Sequence, residues 1–382
     1  MTGRALTSTI STADPLRVLL LSRYGRKGAS SRMRHDQFLP FLAKANIQVE
    51  TTPFFPDAYL DALYAGHRWP LPKVAGCYVR RGVALLTAGR HDLLWIEKET
   101  LPWLPFLAER LLLGMAPPYV VDFDDAWFHH YDRHRSRLVR HLLGDKLDRL
   151  MRGAALITVG NDYLAERAVQ AGARRVEIVP TVVDLARYPC PVAKPTGPLQ
   201  PLRVGWIGSP TTARYLNLLA EPLTRLTAEG VIRPVLIGAG ADALPGLDAD
   251  RIPWSEAEEV AALNGLDVGV MPLIDSPWER GKCGYKLIQY MACGKAVVAS
   301  PVGVNRAIVE PEGAPTANGF LAVTATEWEA ALRALAVDAE LRRRLGQAGR
   351  SKVEHVYSLQ AVAPRLAGLL RSATEVSAGR SS

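Results

Sequence analysis

Apolar runs of strand length alternate with helical stretches along most of the chain. LRVLLLSRYG opens the series, a Gly/Ser/Arg-rich loop follows, and HDQFLPFLAKA then has the spacing of a helix. IQVETTPFF, HDLLWIEKE, PYVVDFDDA, ALITVG and RVEIVPT are further apolar runs, with helical patterns between most of them. This alternation predicts a parallel sheet covered by helices on both faces. The proline-rich stretch CPVAKPTGPLQP, Cys190 to Pro201, has the composition of a linker, and after it the pattern restarts. LRVGWIG, RPVLIGAG, DVGVMPL, AVVAS and GFLAV read as strands, with a helix through Leu226 after the first of them. The last segment, Glu327 to Leu370, reads as helical throughout. The expectation is an α/β protein of two Rossmann-like halves joined near residue 195. Ligands of open α/β sheets bind beyond the carboxyl ends of the strands, so two facing halves place their loops around a shared cleft.

A length of 382 residues agrees with two domains. With 48% apolar and 22% charged residues the chain has an ordinary globular composition. The longest apolar stretch, Leu101 to Val121, is broken by Glu109, Arg110, Gly114 and prolines, so no clean membrane span is expected. The leader MTGRALTSTISTADP has no apolar core of the secretory kind. Cys77, Cys190, Cys283 and Cys293 lack metal-ligand spacing, which points to reduced thiols in the cytoplasm.

Charge changes the picture more. The net charge is +8, and residues 1–190 carry 26 Lys/Arg against 19 Asp/Glu, whereas residues 191–382 carry 20 against 19. The excess gathers in Arg23 to His35, Arg80–Arg81 and His129 to His141. Such clusters are either a solvated face or an attractor of anions, including an anionic membrane surface. They lie in separate loops and are not interleaved with aromatics along one groove, so nucleic acid is not expected as a partner.

Candidate chemistry sits in five loops. Within WERGKCGYKLIQYMACGKAVVASPVGVN, Trp278 to Asn305, a glycine-rich run leads into a helix whose amino end suits a phosphate. Lys282 and Lys286 add cations there, and Gln289 lies one turn beyond Lys286 on the same face. In the loop GSPTTAR, Gly208, Ser209 and Thr211 offer backbone and hydroxyl donors, and Arg214 a cation. They suit a pyrophosphate, or they cap a helix and nothing more. Trp254 stacks on a nucleobase or packs between domains. The first loop has Gly28, Ser30, Ser31 and Arg32. In VVDFDDAWFHH, Asp124 and Asp125 are the candidates for a general base, with Glu97 and Glu99 next; the alternative is a structural network of carboxylates and arginines.

QYMACGKAVVAS, Gln289 to Ser300, resembles the helix-to-strand end of the Glu–seven residues–Glu motif of GT-B glycosyltransferases of the family 4, or group 1, type. Gln289 and Gly281 stand where that family has its two acids. The likeness implies a GT-B architecture: a leader over 1–15, an acceptor domain over 16–190, a linker over 191–201, a donor domain over 202–354, and a segment over 355–382 crossing back. It implies that Lys286 holds a diphosphate and Gln289 the ribose, that Lys282, Cys283 and Gly284 border the donor, and that the first loop faces it. No cofactor or metal is implied. The implied activity is transfer of a sugar from a UDP- or GDP-linked donor to a hydroxyl of a glycan or lipid-linked acceptor, in cell-envelope polysaccharide or glycolipid synthesis. The implied setting is the cytoplasm, with peripheral attachment to the membrane. A nucleotide-sugar epimerase or a non-catalytic nucleotide-sugar-binding protein is the alternative on the same scaffold.

Overall fold

The structure is a computed structural model that describes residues 14–189, 201–311 and 313–378. The leader expected over 1–15 lies outside the described residues up to residue 13, and the linker expected over 191–201 lies outside them up to residue 200.

Two parallel sheets of six strands form the framework. The first contains β1 (Leu16–Leu21), β2 (Ile47–Thr51), β3 (Leu93–Glu97), β4 (Tyr119–Phe123), β5 (Leu156–Val159) and β6 (Val176–Ile178), in the order β2-β1-β3-β4-β5-β6. The second contains β7 (Leu202–Ile207), β8 (Ile232–Ile237), β9 (Asp250–Ile252), β10 (Val268–Met271), β11 (Ala296–Ala299) and β12 (Gly319–Leu321), in the order β12-β11-β10-β7-β8-β9. The interior strands read as continuous apolar runs because both of their faces are covered: every residue of β3, β4, β5, β10 and β11 is buried. Strand order reverses beside β1 in one sheet and beside β7 in the other, which opens a crevice at each strand's carboxyl end. Register brings Glu97 opposite Asp122 and Asp122 opposite Thr158, so carboxylates meet at the edge of the first sheet.

The last helix, Leu359–Ala378, returns to the first sheet. Leu359, Leu366 and Leu370 pack with Val18, Leu20 and Trp95 on one face, and Arg365 donates to the Ile178 carbonyl at 2.9 Å. Leu85, Leu113, Met151 and Leu164 cover the other face.

Two helical expectations need correction. After β7 the chain makes a 3-10 stretch, Ala213–Leu219, before the α-helix Ala220–Ala228. Pro222 has no N–H to give and so belongs in the first turn of an α-helix, which fixes a start near Ala220. The terminal segment is three helices, Ala325–Val337, Ala339–Val356 and Leu359–Ala378. Asp338 breaks the first two apart by accepting the Leu341 N–H at 2.8 Å as an N-cap.

Candidate functional site

The loops after β1 and β4 meet those after β9 and β10 across a gap between the domains, Arg32 lying over Trp254 and Asp125 facing Lys282. Gly208 ends β7, and a Cβ placed there would lie 2.6 Å from the Lys286 Nζ and 2.5 Å from the Trp206 ring. The Lys286 ammonium sits 4.0 Å over that ring, which is itself buried at the position where the resembled family has an arginine. Lys286 belongs to the helix Tyr285–Ala292. Its N-cap, Gly284, has φ +66° and no side-chain cap. A Cβ on Gly284 would strike Ile308 at 2.2 Å, so both space and backbone angle require glycine there. Among the described residues no carboxylate pairs with Lys286, and burial together with the nearby Lys282 pulls its pKa down to about 7.

The neighbouring loops extend this pocket. Gly238, after β8, lies against the Gly208 carbonyl and the Trp254 Cβ. Trp254 donates from Nε1 to Glu259 at 2.8 Å, and the Arg32 guanidinium stands 5.4 Å from its ring. Arg32 comes from the helix Ala29–Arg34 of the first domain, so Trp254 joins the domains and also borders the cleft. Beyond it lies a cavity of about 710 Å³, lined in part by Arg26, Arg32, Asp36, Arg187 and Glu256. Glu256 meets Arg187 at 3.3 Å, Arg26 at 3.7 Å and Arg32 at 3.9 Å, one carboxylate among three guanidinium groups.

On the first-domain side the carboxylates divide by partner. Asp122 is held by Arg34 through two bonds, 2.6 and 2.9 Å, and by Thr158 at 2.6 Å. Glu99 accepts from Arg23, Lys146, Trp127 and Tyr131 at 2.8 to 3.0 Å, and these neighbours hold its carboxyl below the ordinary value despite deep burial. Glu97 is buried and accepts from the Arg23 backbone and Ser31. Asp124 faces the Lys98 ammonium at 2.9 Å, and Lys98 and Ser30 offset burial and bring its pKa down to about 2. Asp125 behaves oppositely: burial and the Asp124 charge raise its carboxyl, with Lys282 at 3.9 Å opposing them. Burial beside Arg23 and Lys98 pushes His130 down to about 4, and its ring lies between Trp127 and Trp278.

Several candidate residues thus occupy places other than those expected. Glu97 and Glu99 are enclosed in hydrogen-bonded networks with no route to an acceptor. Cys283, expected at the donor border, turns its thiol to the first domain: it donates to the Asp124 carbonyl at 2.9 Å and is wedged against Gly160, where a Cβ would come within 2.0 Å. It is a peg between the domains, and burial raises its pKa. Asn161 fixes the same contact by donating to the Gly281 and Lys282 carbonyls at 3.0 Å each. Gln289 is 2% exposed and its amide donates to Tyr188 at 3.1 Å, so it faces the core and not an open ribose site. Arg214 points to solvent beside Glu279 and Tyr215. The Ser209 and Thr212 hydroxyls bond within their own turn, and Thr211 stands exposed beside them. Gly28 closes tightly on Tyr24, where a Cβ would come within 2.5 Å, and Ser30 accepts from Lys98 at 3.0 Å. Sequence reasoning missed Lys98 and Glu279. Lys98 is placed by a left-handed backbone, φ +65°, that no local pattern announces. Glu279 is a buried acid bonded to Tyr215 and Ser276.

Residues 201–338 match a family model described as "Glycosyl transferases group 1". No curated protein sequence matches the chain. Among solved structures, Anabaena Alr3699/HepE in complex with UDP-glucose superposes with a TM-score of 0.68 at 16% identity, covering 94% of this chain and 100% of that one. Sucrose-phosphate synthase from Thermosynechococcus elongatus gives 0.68 at 16% identity, covering 94% and 98%. A UDP-forming α,α-trehalose-phosphate synthase from Burkholderia vietnamiensis gives 0.60 at 13% identity, covering 96% and 98%. The chain has the GT-B fold, and its residues 201–338 are similar to the group 1 glycosyltransferase domain.

Proposed function

We propose that the protein transfers a sugar from a nucleoside diphosphate donor to a hydroxyl of a glycan or lipid-linked acceptor. The observation that carries this reading is Lys286: a half-buried ammonium with no carboxylate partner among the described residues, at an uncapped helix amino end, held over the Trp206 ring in the space that Gly208 leaves. A diphosphate supplies the missing anion and accepts from the backbone amides of that helix end. The nucleoside then runs past Trp254 toward the cavity bounded by Arg32 and Glu256. The structures of HepE with UDP and UDP-glucose support UDP as the carrier.

The sugar, on this reading, lies toward Lys282 and Asp125. Cleavage of the anomeric bond leaves negative charge on the diphosphate, which Lys286 and the helix end stabilise because they are oriented before the charge appears. Asp125, whose raised pKa makes it the better proton acceptor of the adjacent pair, takes the acceptor's proton. Asp124, held as a carboxylate by Lys98, orients that lysine and keeps the site's charge balanced.

Calorimetric titration with UDP-, GDP- and ADP-linked sugars tests the proposal. One donor binds the wild type, and Lys286→Ala abolishes that binding while circular dichroism stays unchanged. Binding unaffected by Lys286→Ala refutes the assignment.

A further inference from the structure

The cavity at the junction of the domains surrounds a charge that the protein leaves unsatisfied. Arg32 is 9% exposed, yet its guanidinium donates no hydrogen bond among the described residues, and its Nε is sealed from solvent without a partner. The carboxylate that faces it, Glu256, stands 3.9 Å from Nη1, beyond hydrogen-bond reach. The ring of Trp254 lies 5.4 Å away and offers only a weak cation–π contact. A guanidinium presents five N–H donors in a fixed fork, and burying them unused is costly. Such a group is matched by an oxyanion that the chain itself does not supply.

Its neighbours repeat the shortage. Arg26, from the loop after β1, and Arg187, from the end of the first domain, line the same cavity of about 710 Å³. Glu256 is the carboxylate they share, at 3.7 Å from Arg26 and 3.3 Å from Arg187, so it stands among three guanidinium groups without closing on any of them. Arg187 donates to the backbone carbonyl of Glu256 at 3.2 Å and not to its carboxylate. Two further acids line the cavity. Asp184 accepts from the Gln360 amide at 2.8 Å and from the Ala186 N–H at 3.0 Å, which commits its charge elsewhere. Burial works against the charge on Asp36 and raises its pKa. A carboxylate has one charge and two oxygens. A phosphate has nearly two charges near neutral pH and three oxygens or more, which suits three guanidinium groups.

We propose that this cavity binds a phosphate dianion, free or as a small monoester, on Arg26, Arg32 and Arg187 in place of Glu256. Met33, Pro40 and Val260 line the remainder, an apolar wall for the carbon part of an ester. The site is separate from the donor pocket, because neither Lys286 nor Gly208 lines the cavity. The inference therefore goes beyond the proposed function and does not rest on it. The walls come from both domains, Arg26 and Arg32 from the first and Glu256 and Val260 from the second. A bound phosphate thus bridges the domains beside Trp254, the residue that borders the donor pocket.

Titration calorimetry on the full chain with inorganic phosphate, glycerol 3-phosphate and glycerol tests the proposal. It is run on Lys286→Ala as well as on the wild type, since that variant lacks the cation of the donor pocket. Both phosphates bind Lys286→Ala, and glycerol does not. Tighter binding of the ester assigns an organic phosphate as the ligand; otherwise the free ion is assigned. Arg32→Gln weakens binding by about tenfold or more, the size of a charge-assisted hydrogen bond. Arg26→Gln, at an exposed position, weakens it about threefold. Glu256→Gln removes the competing carboxylate and tightens binding about fivefold, the effect of one charge at about 4 Å in a water-like medium. A gain in affinity is not what a loosened structure produces, and it keeps the proposal testable should Arg32→Gln fail to fold. Absence of phosphate binding to Lys286→Ala, binding of glycerol as tight as that of its phosphate, or affinity unchanged or lowered by Glu256→Gln overturns the proposal.

Discussion

Raising the pH from 7 to 9 should weaken donor binding steeply, and Lys286 sets the size of the effect. Its pKa of about 7 in the free protein lies well below the ordinary lysine value. Below pH 7 the ammonium is already charged and affinity is flat. A bound diphosphate favours the charged form and raises the pKa, so above pH 7 binding must take up a proton. Affinity then falls by up to tenfold for each pH unit, or about 25-fold between pH 7 and 9 if the bound pKa is about 9. A nucleotide sugar is the right probe, because its diphosphate diester has no phosphate proton to lose in this range. Titration calorimetry in two buffers of different ionisation enthalpy measures both affinity and proton uptake. Lys286→Arg keeps a charge at all these pH values and should bind with a flat profile, whereas Lys286→Ala should bind weakly throughout. The sign for stability is the reverse. The unfolded chain holds this proton up to an ordinary lysine pKa while the folded chain loses it near 7, so the free protein becomes more stable between those values as pH rises. Lys286→Met should likewise stabilise the free protein, by at most about 4 kcal/mol at pH 7. Donor affinity equal at pH 7 and 9, with no proton uptake, would refute the reasoning.

Three further substitutions separate roles within the site. Asp125→Asn should keep donor binding and lower kcat by about 10²–10⁴-fold, measured as sugar transfer or slow donor hydrolysis. Asp124→Asn instead strands the buried Lys98 ammonium and should cost about 3–5 kcal/mol in denaturant unfolding; a variant as stable as the wild type would show that Lys98 finds another partner. Gly208→Ala places a methyl group against Lys286 and Trp206 and should weaken donor binding by about 10²-fold with the fold intact, since small misplacements at such sites are costly.

The division into two sheets was legible because burial on both faces makes each central strand a continuous apolar run, as in VVDF of β4 and AVVA of β11. The helix Tyr285–Ala292 was legible for a local reason too, since glycines and lysines precede an apolar helical run. Pairings between distant segments were not. Asp122 and Asp124 stand two residues apart, yet Arg34 takes one and Lys98 the other. Cys283 looked like part of the donor loop, and only the approach of Gly160 from the other domain makes it a peg. Gln289 had the spacing of a ligand-facing residue, but the Tyr188 hydroxyl from the end of the first domain claims its amide.

The return of the Leu359–Ala378 helix to the first sheet has a consequence for synthesis. Leu359, Leu366 and Leu370 complete an apolar layer with Val18, Leu20 and Trp95, which are made before the second domain. That layer stays open to solvent until this helix has been synthesised, so the first sheet waits, partly formed, for a segment that follows the whole second sheet in the chain. Loss of the Leu359–Ala378 helix would therefore uncover the apolar face of the sheet that was built first.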